Sequence, residues 1–133
     1  MKIVKIDDVI AFHNKIIERT GGSKGIRDIG LIESALNRAH ATYDSKDLYE
    51  DFLDKVSVIA VSLIKNHGFI DGNKRIGIAT MLLLLKLNNF SIVYQQEELI
   101  ELGLKIASGQ IKEQAVKTWI EEHKENKAWR LIF

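Results

Sequence analysis

Residues 67–87 read HGFIDGNKRIGIATMLLLLKL, and this stretch decides the architecture. Its second half, Ile76 to Leu87, is apolar on every side, with Met81 through Leu85 leaving no polar stripe. A helix of that composition belongs inside a bundle. It is about 12 residues long and interrupted by Lys86, well short of the roughly 20 that a membrane span needs. The first half is opposite in character. A histidine, an aspartate and an asparagine share the loop with Gly68 and Gly72, too polar and glycine-rich for a helix interior. The helix therefore opens at about Lys74.

Upstream, Leu48, Phe52, Val56, Ile59, Ala60, Leu63 and Ile64 fall on one stripe, which predicts a helix over about 48–65. Near the N-terminus, Asp7 and Asp8 precede Val9, Ile10, Phe12, Ile16 and Ile17 at helical spacing, and Gly21-Gly22 ends that run. After the loop GGSKGIRD (21–28), Leu31, Ile32, Ala35, Leu36 and Ala39 mark a second helix with Asp28 as its N-cap. Downstream, residues 91–94 (SIVY) read as a short extended piece, followed by helices over about 97–107 and 112–123. Proline is absent, and there is no repeat, linker or low-complexity tract. The expectation is an all-α fold, a bundle of about six helices with a buried central helix after the 67–75 loop, forming a single domain over residues 1–133.

Composition narrows the functional class. With 46% hydrophobic and 28% charged residues the chain is an ordinary globular one, and 19 basic against 18 acidic side chains give no basic excess for nucleic acid. The absence of cysteine excludes disulfides and thiolate metal sites and fits a reducing cytoplasm. MKIVKIDDVI carries acids where a signal peptide carries its apolar run. A soluble cytoplasmic protein is expected.

The loop before the buried helix concentrates chemistry. Free N–H groups at a helix start, with the dipole behind them, form an anion site. Gly72 permits a tight turn or a close backbone approach to a ligand. Asn73, Lys74 and Arg75 add donors suited to phosphate oxygens. Asp71 can hold Mg²⁺, which takes one or two carboxylates plus substrate phosphates. His67 can deprotonate an incoming hydroxyl, histidine being the side-chain type suited to proton transfer near neutral pH.

HGFIDGNKR resembles the signature of the Fic/Doc family, H-x-F-x-(D/E)-(G/A)-N-(G/K)-R. His67, Phe69, Asp71, Gly72, Asn73, Lys74 and Arg75 match it position by position. Residues 21–36 (GGSKGIRDIGLIESAL) are similar to the N-terminal stretch of the family's Doc branch. The resemblance spans roughly residues 1–125. It implies that His67 is the general base toward a Ser, Thr or Tyr hydroxyl of a target protein. Asp71 would bind Mg²⁺, Asn73 and Arg75 would hold phosphates, and Phe69 would anchor the loop in the core. Most Fic members transfer AMP from ATP. The Doc branch implies instead transfer of the γ-phosphate of ATP to a threonine of elongation factor Tu, which arrests translation, with a Phd-like antitoxin as the neutralising partner. Two departures from the AMP-transferring pattern favour the Doc branch. Lys74 stands where those enzymes have Gly, and Ile78 stands where they have a second Arg. Gly68 replaces a common Pro, which predicts a looser entry to the loop.

Other residues have plainer readings. His13 is expected to be a satisfied buried or half-buried histidine, and His40 and His123, for which the sequence shows no partner, are expected at the surface. Asp7-Asp8 reads as a capping pair. Arg27-Asp28 reads as a helix-start pair in a loop that also resembles the family's target-positioning flap. Thr118 to Glu122 fits five places of the family's inhibitory-helix pattern, and His123 breaks the sixth, so control is left to a separate antitoxin. The tail KENKAWRLIF either packs back on the bundle or offers an apolar patch. Two rival functions stand beside the kinase reading: transfer of AMP or another nucleotide, and a binding module without turnover.

Overall fold

A computed structural model describes residues 1–126. Six helices carry the fold: α1 (Ile6–Thr20), α2 (Ile29–Asn37), α3 (Phe52–Asn66), α4 (Asn73–Leu87), α5 (Gln96–Ala107) and α6 (Glu113–Glu122). The all-α expectation holds. The tail reading falls on Trp129, Leu131, Ile132 and Phe133, which lie outside the described residues.

Local chemistry accounts for the helix ends. Asp8 accepts the Lys5 N–H at the start of α1 (3.0 Å). Asp28 caps α2, accepting the Gly30 N–H at 2.9 Å, so one amide at the helix start is satisfied by a side chain. A 3₁₀ turn over Arg38–His40 then extends α2.

The centre is shared by α3 and α4. Every residue from Val56 to Ile64 is buried, and α2, α4, α5 and α6 all pack on α3. Of α4, Ile76, Gly77, Thr80, Met81, Leu84 and Leu85 are buried, while Ile78, Ala79 and Leu82 stay partly open. The apolar stripes of α1, α5 and α6 close this core through Val9, Leu99, Leu102, Ile106, Val116 and Ile120.

Two readings need adjustment. The helix expected from Leu48 begins at Phe52, and Leu48 is exposed. Ahead of it lies a small antiparallel hairpin, β1 (Thr42–Tyr43) with β2 (Lys46–Asp47). Asp44 and Ser45 both have positive φ, 54° and 65°, as a two-residue hairpin turn demands. Asp-Ser is a weak signal for that turn, and Leu48 lies four residues before Phe52, which mimics one more helical turn. The extended reading of 91–94 agrees with an isolated antiparallel bridge: Ile92 pairs with Lys124, and the Val93 N–H donates to the His123 carbonyl (2.8 Å). His40 is exposed as expected, but His123 is half-buried and partnered. Its Nδ1 lies 2.6 Å from the Trp119 carbonyl oxygen, and its Nε2 meets the Glu98 carboxylate. That contact joins residues 25 positions apart, which no local pattern reveals.

Candidate active site

The site is built from two loops, 67–72 between α3 and α4 and 21–28 between α1 and α2. Backbone bonds stitch them together. The N–H groups of Arg27 and Asp28 both donate to the Gly68 carbonyl (2.8 and 3.0 Å), and the Ile70 N–H donates to the Gly25 carbonyl (3.1 Å). Gly68 therefore does not loosen the loop. It is buried, and a Cβ there would collide with Ile32 Cγ1 and lie 3.3 Å from the Asp28 carbonyl oxygen. The glycine lets the loop lie directly on the start of α2.

Phe69 fills the core as expected, 2% exposed. Its ring stacks on His13 at 3.8 Å between centroids. His13 is buried and satisfied, as its place on the apolar face of α1 suggested. Its partner is the loop itself: Nε2–H donates to the Asp71 carbonyl at 2.7 Å. The histidine thus ties α1 to the peptide that precedes Gly72.

Asp71 is half-buried, and its two carboxylate oxygens accept different amides. Oδ2 takes the Ser23 N–H at 3.0 Å, and Oδ1 takes the Gly72 N–H at 2.8 Å. These two bonds, with the Arg75 guanidinium 3.7 Å from Oδ1, hold the carboxyl below the usual aspartate range. The group is ionised and has lone pairs to spare. That chemistry fits a divalent cation that brings the rest of its shell as water and phosphate. Among the described residues no cluster of three or more His, Asp or Glu side chains forms a self-contained metal site.

Gly72 sits at φ 77°, a left-handed conformation that swings the chain into α4. The backbone N–H groups of Asn73, Lys74 and Arg75 follow at the first turn, where no intrahelical acceptor exists. The side chain of Asn73 does not join them. Its Oδ1 accepts the Phe69 N–H (3.1 Å) and its Nδ2 donates to the Phe69 carbonyl (3.0 Å), closing the loop. Arg75 is pinned from α1, with Nη1 donating to Thr20 Oγ1 (2.6 Å) and to the Gly21 carbonyl (2.7 Å). Lys74 is exposed. His67 follows the end of α3 in the left-handed region, φ 52° and ψ 49°, and is exposed. No described residue hydrogen-bonds its ring.

Sequence adjacency thus brought together His67, Asp71, Gly72, Asn73, Lys74 and Arg75. The fold adds Thr20 from the end of α1 and Gly21, Ser23 and Arg27 from the 21–28 loop, contacts 39 to 55 positions apart that no spacing signals. A hollow of about 430 Å³ opens beside Lys74 and Arg75, walled by Ile16 and Thr20 of α1, Ile78 and Leu82 of α4, and Leu99 and Gly103 of α5.

The pattern that defines the Fic/DOC family matches residues 3–85, which contain both loops and run into α4. The chain belongs to the Fic/DOC family. Within Fic/DOC it is Doc-like. It is 32% identical over 119 residues to the protein named "Protein kinase doc" of Escherichia phage P1, across 87% of this chain and 90% of that protein. It is also 36% identical over 72 residues to "Toxin Doc" of Mycolicibacterium smegmatis, across 54% of this chain and 55% of that one. Two further placements follow for this Fic/DOC chain. Ile78 lines the hollow beside Lys74 and Arg75, so an aliphatic side chain stands where a second arginine would. Thr118 and Glu122, from the stretch resembling the inhibitory helix, line a separate hollow between α5 and α6 with Glu98 and Trp119. No helix among the described residues is long and apolar enough to cross a membrane.

Proposed function

We propose that this chain is a Doc-like toxin that transfers the γ-phosphate of ATP to a Thr or Ser hydroxyl of a target protein. By the family resemblance, the target is elongation factor Tu, the consequence is a block of translation in the cytoplasm, and the neutralising partner is a Phd-like antitoxin. The observation that carries the reading is the junction of α3 and α4. An exposed imidazole with no partner among the described residues, an ionised carboxylate and the first-turn amides of a helix all belong to one nine-residue stretch.

The roles follow from the chemistry of each group. His67 accepts the hydroxyl proton as the oxygen attacks phosphorus. The bond from phosphorus to the β,γ-bridging oxygen breaks, and ADP departs with the electron pair. The first-turn amides of α4 and the guanidinium of Arg75 stabilise the phosphoryl oxygens, and they are already oriented before substrate arrives. Lys74 is exposed beside the hollow and adds a mobile positive charge. Mg²⁺, held by Asp71 and the substrate phosphates, would neutralise charge on the transferring group. Asn73 acts by holding Phe69, and so the shape of the turn, with its backbone N–H left to face phosphate. The hollow beside Arg75 has the volume of a small-molecule site and suits a nucleoside. Ile78 within it argues against a second clamp for transferring AMP.

The test is the His67→Ala chain. Expression of the parent should stop growth, and the variant should not, because losing a general base lowers the rate on the order of 10²–10⁴-fold. The same helical circular dichroism and melting temperature in both would assign the loss to chemistry. A folded variant that remains fully toxic would refute the role of His67.

A further inference from the structure

We propose that Arg27 is a positioning residue for His67, holding the base from behind while touching none of the reacting atoms. The inference rests on the reading of His67 as general base. The last carbonyls of a helix have no partners inside it. At the end of α3 two of them, Asn66 and His67, are met by one side chain. Arg27 Nε donates to the His67 carbonyl at 2.6 Å, and Nη2 donates to the Asn66 carbonyl at 3.1 Å. A planar guanidinium makes both bonds in one geometry, and its charge lies at the negative end of the helix dipole.

The bonded peptide is the one that needs support. His67 is a non-glycine residue at φ 52°, a backbone state that L side chains adopt only at a cost. The direction of its Cα–Cβ bond, and so of the imidazole, is set by that conformation. A clamp on the preceding and the following carbonyl fixes it. Arg27 itself cannot drift, because its own N–H donates to the Gly68 carbonyl at 2.8 Å and its neighbour Ile26 forms an antiparallel bridge with Phe69. The loop between α1 and α2 therefore grips the base from both backbone and side chain. Nε and Nη2 both donate to backbone carbonyls, so this side of the guanidinium is committed to the backbone around His67. Arg27 is exposed, so its removal opens no core.

The experiment compares the parent chain with Arg27→Ala, Arg27→Lys and His67→Ala. In phosphoryl transfer, Arg27→Ala should lower kcat by roughly 10- to 100-fold with KM for ATP unchanged, as for a misplaced catalytic group. Arg27→Lys, which keeps one donor and the charge, should recover part of the loss. A kcat equal to the parent's overturns the proposal. So does a loss accompanied by a lowered melting temperature that Arg27→Lys does not relieve, since that describes general destabilisation. A second readout needs no activity. In NMR spectra the Arg27 Nε–H should be protected from exchange, and Arg27→Ala should move the His67 ¹³Cα and ¹³Cβ shifts away from left-handed values. Unchanged His67 shifts overturn the proposal even if no ATP is consumed, in which case the kinase reading fails separately.

Discussion

Asp71 and His13 show how a surface turn is held by a buried group. The imidazole of His13 is fully enclosed, stacked on Phe69, and spends its Nε2–H on the Asp71 carbonyl. Replacing it by Leu would leave that carbonyl without its donor and remove the ring stack. His13→Leu is therefore expected to lose roughly 1–3 kcal/mol of stability in urea denaturation, the cost of an unsatisfied buried polar group. His13→Gln, whose amide places a donor near the same point, should lose less. Equal losses would show that the bond contributes nothing. The sequence announced His13 as buried, because it lies on an apolar face, but not what it holds. Its acceptor is 58 residues away, and side-chain periodicity carries no information at that range. The motif residues themselves were legible because nine adjacent positions make one turn. Asn73 is the exception, since an amide at a helix start serves equally well as ligand donor and as loop closure.

Among the elements, α4 and the α5–α6 pair carry separate expectations. Thr80 is buried in α4, and its hydroxyl has no partner among the described residues. Thr80→Val exchanges that hydroxyl for a methyl, and folding stability should rise by about 1 kcal/mol. A less stable variant in the same urea titration would show that the hydroxyl is satisfied in solution. At the ends of α5 and α6, His123 faces two acceptors, the Trp119 carbonyl and the Glu98 carboxylate, so both ring nitrogens are satisfied only in the protonated form. Burial opposes that charge, but the bonds to Glu98 and Trp119, with Glu122 nearby, raise the His123 pKa above its ordinary value. The bond from His123, then that from the Gln95 amide, lowers the Glu98 pKa. A raised histidine stabilises fully below its unfolded pKa of about 6.5 and loses that contribution as pH rises through the folded value. Glu98 contributes above its unfolded value and loses that contribution as pH falls through its lowered one. The stability difference between the parent and His123→Phe should be larger near pH 6 than near pH 9 (both about). A difference independent of pH would exclude the charged pair. The helices were legible from their stripes, whereas this clasp and the small hairpin before α3 were not. Both depend on chain segments meeting in space or on a turn with a weak sequence signal.

At the scale of the molecule, the fold serves one junction. α3 and α4 form the centre, the turn between them is bonded to α1 and the 21–28 loop, and a hollow of about 430 Å³ lies beside the start of α4. α1 and the 21–28 loop thus fix the turn from two sides and leave His67 exposed. The all-α architecture was legible from the apolar run after the turn, because a helix with no polar face has to be surrounded. The hollow was not, because its walls come from α1, α4 and α5, whose relative placement only the folded chain defines. The most direct measurement incubates the purified protein with a bacterial extract and ATP labelled in parallel on its γ- or its α-phosphate. Label on one protein band from γ-labelled ATP alone, absent with His67→Ala, is the expected result. Label from α-labelled ATP would contradict phosphoryl transfer and assign the site to nucleotide transfer instead.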